Sequence, residues 1–176
     1  MEVPKTKDWS GYGKASQGIW VKGVGELVVR FSRCCSPVPG DQVIGYVTRG
    51  RGVTVHRLDC PNMNDLAKEP DRLVEVQWEE GYSAAHPVEV QVTVLDRAGL
   101  LADVVSIVAE ARINMGSTAS RGHKNKLATI DLVLEVKDAQ QLLFALQKIR
   151  KVRDVMTVER VTRERKAKAA NQSNRP

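Results

Sequence analysis

Val88-Glu89-Val90-Gln91-Val92-Thr93-Val94-Leu95-Asp96-Arg97-Ala98-Gly99-Leu100-Leu101-Ala102-Asp103-Val104-Val105-Ser106-Ile107-Val108 changes its period halfway along. Val88, Val90, Val92 and Val94 alternate with other residues, which points them all to one face of a strand. Past the break at Asp96 to Gly99, Leu100, Leu101, Val104, Val105, Ile107, Val108 and Ala111 recur at helical spacing and predict one apolar helix face. Asn114 to Arg121 reads as a second strand. Ala128, Ile130, Leu132, Leu134 and Val136 alternate along a third, joined to the second through Gly122, His123, Lys124 and Asn125. Leu142, Leu143, Ala145, Leu146 and Ile149 stripe a second helix, and Val155 to Val161 closes with a strand. The order βαββαβ over residues 86–162 is the ferredoxin-like plan, in which both helices cover one face of an antiparallel sheet.

On the N-terminal side, residues 18–80 predict a small strand-rich domain, so the fold class is α+β with two units. Leu27 to Phe31 and Val43 to Val47 are β-branched and aromatic runs bounded by Pro and Gly. Thr48-Arg49-Gly50-Arg51-Gly52 supplies a hairpin turn into Val53-Thr54-Val55-His56. Pro61-Asn62 introduces a short helix over Met63 to Ala67, and Leu73 to Trp78 alternates like one half-buried strand. Residues 1–17 show neither period and read as a linker or cut end, and residues 163–176 read as a basic disordered tail.

The composition of the 176 residues, 42% hydrophobic and 27% charged, suits one or two soluble domains, and no apolar run approaches the roughly 18 residues of a spanning helix. Met1 to Lys7 lacks the apolar stretch of a secretory signal, which predicts a cytoplasmic, reducing setting. Three cysteines, two of them adjacent, argue against a disulfide framework. The net charge of +6 is uneven: Asp65 to Ala85 holds six acidic and two basic residues, Val161 to Pro176 five basic and one acidic. A positive excess favours a polyanion such as RNA.

Three places carry candidate chemistry. Cys34, Cys35, His56 and Cys60 supply three thiols and an imidazole, the number of donors in a closed tetrahedral zinc site. They also suit reduced thiols, at least one of them packed as a small apolar side chain, beside a strand-end histidine, or a redox switch. Neighbouring cysteines point to opposite faces of a strand unless Pro37, Pro39 and Gly40 bend the chain. Arg49 and Arg51, with Lys22, Arg30, Arg33 and Arg57 nearby in sequence and Tyr46 and His56 as stacking rings, form a candidate RNA-contact patch or an ordinary solvated hairpin. Asp96, Arg97, Ala98, Gly99, Leu100 and Leu101 stand at a strand-to-helix junction, where free amides attract a carboxylate or phosphate and where ordinary tight turns also occur. No catalytic arrangement is present: there is no Gly-rich phosphate loop ending in Gly-Lys-Ser/Thr and no Gly-x-Ser-x-Gly elbow. The chain reads as a non-enzyme.

Val21 to Val24, Arg33 to Asp41, Gly45 to Val53 and Val55 to Asn62 resemble the ribosome-intersubunit, or zinc-finger-like, domain of long RelA/SpoT homologues. Residues from about Val88 to Val161, with Asp96-Arg97-Ala98-Gly99-Leu100-Leu101 and Asn125 to Ile130, resemble the ACT domain that follows it. The resemblance covers Ile19 to Thr162. It implies the regulatory C-terminal part of a synthetase/hydrolase of guanosine tetra- and pentaphosphate, with the catalytic domains preceding this region. It implies docking on ribosomal RNA and tRNA, zinc as a cofactor of the cysteine motif, and an ACT unit that pairs with a second copy or binds a branched-chain amino acid near Asp96 to Leu101, Asn114 and Met115.

Overall fold

The structure, a computed structural model, describes residues 11–14, 17–23, 27–50 and 52–163. The first unit holds strands β1 (Tyr12–Lys14), β2 (Ile19–Lys22), β3 (Val29–Phe31), β4 (Val43–Thr48) and β5 (Gly52–Arg57). Helix α1 (Met63–Leu66) and a single 3-10 turn at Pro70–Arg72 follow, then β6 (Leu73–Val74) and β7 (Val76–Trp78). Two small sheets result, with strand orders β1-β2-β7 and β3-β5-β4-β6. Between them lie Ile19, Val21, Val29, Val53, Val55 and Val76, a small core for a unit of this size. The sheets press together at Gly45, where a Cβ would stand 2.8 Å from methyl groups of Val53, Val74 and Val76.

Two expectations are corrected here. Leu73 to Trp78 is not one strand, because the chain turns a corner at Glu75 and sends Leu73–Val74 to β4 and Val76–Trp78 to β2. The expected linker contains β1, which pairs antiparallel with β2. The remainder of the expected linker lies outside the described residues except Gly11 and Gln17, and the expected tail lies outside them beyond Arg163.

The second unit follows the expected order. Strands β8 (His86–Leu95), β9 (Asn114–Gly122), β10 (Leu127–Val136) and β11 (Val155–Arg160) form an antiparallel sheet ordered β11-β8-β10-β9, with α2 (Leu100–Glu110) and α3 (Ala139–Arg150) in the connections. Val88, Val90, Val92 and Val94 are all buried against Ile130, Leu132, Leu134, Val104 and Ile149. Asp138 caps α3 by accepting the Gln141 amide at 2.7 Å. The predicted helix faces were too wide. Leu100, Val104 and Val108 of α2 are buried, whereas Leu101, Val105 and, on α3, Leu143 stay exposed. Among the described residues no helix is long and apolar enough to cross a membrane.

The units meet along residues 34–41, the segment between β3 and β4. Val38 is wholly buried within the core of the second unit, and Gly40 packs against the Ala139 side chain. The Ala139 amide, at the start of α3, donates to the Pro39 carbonyl at 2.8 Å. Arg160, at the end of β11, donates to both carboxylate oxygens of Asp41 at 3.0 Å and to the Ser36 carbonyl at 2.8 Å. Asp41 in turn accepts the Val38 amide at 2.9 Å. Above the seam Phe31 and Trp78 stack at 5.3 Å with the edge of His86 against both, and burial lowers the His86 pKa.

Candidate metal centre and ligand cleft

Cys34 and Cys35 occupy a turn that leaves β3. The Ser36 amide donates to the Ser32 carbonyl at 3.1 Å, and Ser36 itself takes a left-handed φ of 45°. This tight turn removes the strand geometry that would have separated the two thiols. His56, on β5, is buried. Cys60 lies in the next turn, where its amide donates to the Arg57 carbonyl at 3.1 Å. The four donor atoms all lie within 4.8 Å of one another. Cys34 Sγ is 3.4 Å from His56 Nδ1 and 3.4 Å from Cys60 Sγ, and Cys60 Sγ is 3.8 Å from His56 Nδ1. Tetrahedral zinc, with about 2.3 Å to sulfur and 2.0 Å to nitrogen, sets its ligands roughly 3.5–3.8 Å apart, so this donor set fits the ion in type, number and spacing.

The surroundings orient the donors. Cys35 Sγ contacts Ser32 Oγ at 2.8 Å and accepts the Arg57 amide at 3.3 Å, the kind of outer hydrogen bonds that hold a ligand's direction. The hydrogen bond from Cys35 holds the Cys34 thiol well below its ordinary range against the effect of burial, with His56 and Asn62 adding to the lowering. The same bond, then burial, pushes Cys35 up, and burial raises Cys60. Ser32 and Asn62 escaped the sequence reading, because their part depends on two turns closing over one another.

The basic residues are placed less uniformly. Arg30 and Arg33 are exposed at and after β3, and Arg49 is exposed in the turn between β4 and β5. Lys22 is exposed and pairs with Glu75 at 3.1 Å. Arg57 is mostly covered and pairs with Asp59, with one guanidinium nitrogen buried without a partner. Arg51 lies outside the described residues. Neither expected stacking ring is free. The Tyr46 ring lies under the Arg72 guanidinium at 4.7 Å with its hydroxyl donating to Glu69, and His56 faces the thiols.

In the second unit, Asp96, Arg97, Gly99, Leu100 and Leu101 line a cleft of about 530 Å³, with Val94, Val105 and Ser120 among the other walls. Gly99 starts α2 with φ 79° and leaves open space where a Cβ would stand. Arg97 is held by Asp103 at 2.7 Å and Asp154 at 2.8 Å, which raise its pKa, so it braces the wall. Ala98 is outside the lining, as are Asn114 and Met115. The latter two begin β9, opposite Glu135 and Leu134, whereas Ser120 lies opposite Ile130, six residues and about 20 Å further along the strand. Asn114 is bonded to Glu135, and Met115 packs on the core. Ser120 went unread because only strand register brings it to the cleft, and Val105, one turn beyond Leu101 on α2, because its spacing places it in the predicted core-facing stripe of that helix.

Comparison with known proteins gives two consecutive matches. Residues 19–79 match the RelA/SpoT RIS domain and residues 83–160 an ACT domain. Similar proteins include a GTP pyrophosphokinase of Escherichia coli, 43% identical over 131 residues, covering 73% of this chain and 18% of that protein. Another, from Streptomyces coelicolor, is 42% identical over 136 residues, covering 77% of this chain and 16% of that protein. The crystal structure of the ACT domain from a GTP pyrophosphokinase of Chlorobium tepidum is 24% identical, with a TM-score of 0.39 over 43% of this chain and 97% of that one. The chain thus spans 16% to 18% of the length of these two curated relatives, the regulatory C-terminal region, and their catalytic domains are not in it. With its RIS domain and ACT domain in this order, the chain belongs to the RelA/SpoT family.

Proposed function

We propose that this region docks a stringent-response guanosine tetra- and pentaphosphate enzyme on ribosomal RNA and tRNA and passes the state of the ribosome to catalytic domains outside these residues. The observation that carries the reading is the set of exposed arginines on the RIS domain, Arg30, Arg33 and Arg49, which present guanidinium groups suited to phosphate. Lys22 and Arg51 belong to the same proposal. Arg57, covered and paired with Asp59, acts instead as a brace beside the thiols. The seam at residues 34–41 supports transmission, since a displacement of the RIS domain moves a segment that is packed into the ACT core.

Cys34, Cys35, His56 and Cys60 would hold zinc in this reading. These four residues would supply all the donors of a closed site, so the ion's contribution would be structural, stapling a unit whose own core is small.

A second reading follows from the cleft at Asp96 to Leu101. Its volume and its apolar walls suit a small branched-chain amino acid whose carboxylate faces the start of α2, which makes the ACT domain the sensor and the RIS domain its relay. Pairing of two ACT domains would accompany either reading.

Cosedimentation with ribosomes across a salt series tests the docking. Affinity is expected to fall steeply with salt, and Arg30→Gln, Arg33→Gln and Arg49→Gln each to lower the logarithmic salt slope by roughly one. No ribosome association at low salt, with or without deacylated tRNA, contradicts it. Metal analysis of protein purified without chelator is expected to give one zinc per chain and none in Cys60→Ser; a metal-free wild type refutes the zinc assignment. Titration calorimetry with valine, isoleucine and leucine decides the second reading. Heat release with a melting shift rising with ligand, about 2.7 kcal/mol of added stability at one hundred times Kd, supports it, and the absence of both removes it.

A further inference from the structure

The three thiols differ in access and in partners. Cys34 is partly exposed, whereas Cys35 and Cys60 are buried. Cys35 is engaged on its other side by Ser32 and by the Arg57 amide. Cys60 Sγ stands 3.4 Å from Cys34 Sγ, with no atom needed between them to relay a reaction. The adjacent pair is a poor couple, because a bond between Cys34 and Cys35 closes an eight-membered ring that twists the intervening peptide away from its planar trans form. Cys34 and Cys60 come from separate turns, 26 residues apart in the chain, and each turn can adjust without breaking a strand.

We propose that Cys34 and Cys60 form an oxidisable thiol pair: hydrogen peroxide reacts at Cys34, and Cys60 resolves the product as an intramolecular disulfide. In the first step Cys34 sulfur attacks one peroxide oxygen, the O–O bond breaks, and the products are a Cys34 sulfenic acid and one water. In the second, Cys60 sulfur attacks the Cys34 sulfur and the S–O bond breaks. The leaving hydroxide takes up the Cys60 proton as a second water. Two thiols and one peroxide thus give one disulfide and two waters, with two electrons passing from sulfur to peroxide. The inference needs only the thiol geometry. One consequence rests on the zinc reading: the disulfide removes two of four donors, so a bound ion leaves. The chemistry also takes place next to the seam, since the Cys34 carbonyl accepts the Arg163 amide at 2.7 Å and Asn62 donates to the Arg163 carbonyl at 3.0 Å.

The test is peroxide treatment of the purified protein, alkylation of remaining thiols, and tryptic mass mapping, with zinc release followed in parallel by a coloured chelator. Cleavage after Arg33, Arg49, Arg57 and Lys68 puts Cys34 and Cys35 on one peptide and Cys60 on another. The expected product links the two peptides through Cys34, with Cys35 alkylated. In Cys60→Ser the Cys34 sulfenic acid persists and is trapped by dimedone, and in Cys34→Ser neither remaining cysteine is oxidised at the wild-type rate. A Cys34–Cys35 bond, disulfides between chains as the main product, or a wild-type Cys34 left alkylatable after peroxide each overturn the proposal. A disulfide formed in metal-free protein supports it while removing the zinc reading. Zinc present and retained with no disulfide formed overturns the proposal alone.

Discussion

Asp41 and Arg160 meet by two hydrogen bonds of 3.0 Å, in a seam where the side chains keep only 11% and 14% of their exposure. A pair so placed loses much of its hydration, and its net contribution to stability is correspondingly small; what it supplies is position, since either partner left alone is strongly unfavourable. Arg160 reaches further to the Ser36 carbonyl, and Asp41 back to the Val38 amide. The segment 36–41 therefore has one conformation compatible with both units. The turn carrying Cys34 and Cys35 is attached to its beginning, so the direction of two donors is tied to the end of β11.

This dependence matters because the RIS domain has little else to rely on. Its fully buried apolar set is confined to short strands, two of them in a sheet of three, whereas the ACT domain fills one face of a four-stranded sheet with valine, leucine and isoleucine. The first unit compensates twice. Val38 is placed in the neighbour's core, and the second turn of chain, ending at Cys60, is gathered to the first through sulfur and His56. A domain held together this way responds to the chemistry of its thiols more readily than one stabilised by burial alone.

Much of the ACT plan was legible because its periods are long and unbroken: ten residues of alternation in β8 match ten in β10, in register throughout. The four donors were legible as residue types. Their convergence was not, since it depends on a left-handed φ at Ser36 that no composition announces. The corner at Glu75 was hidden because alternation continues on both sides of it while the partner strand changes. β1 has three residues and gains its structure only by pairing with β2. Asp41 and Arg160 lie 119 residues apart, and Asn114 and Met115 stand at the opposite end of β9 from Ser120, which lines the cleft. Apart from the local turn at Ser36, the missing information is a long-range pairing, which local sequence does not encode.

The seam contacts hold the thiol-bearing loop and the ACT domain together as one body. Amide hydrogen exchange tests this directly at two positions. The Ala139 amide, at the first turn of α3, has no partner within its own helix and relies on the Pro39 carbonyl; the Arg163 amide, past the end of β11, relies on that of Cys34. Both amides are expected to be protected in the wild type and to lose protection in Arg160→Met, while Val92 and Leu132 in the sheet interior stay protected. Exchange of Ala139 and Arg163 at the rate of an unstructured peptide in the wild type, or protection unaltered in Arg160→Met, would show that the loop and the ACT domain are not held together in this way.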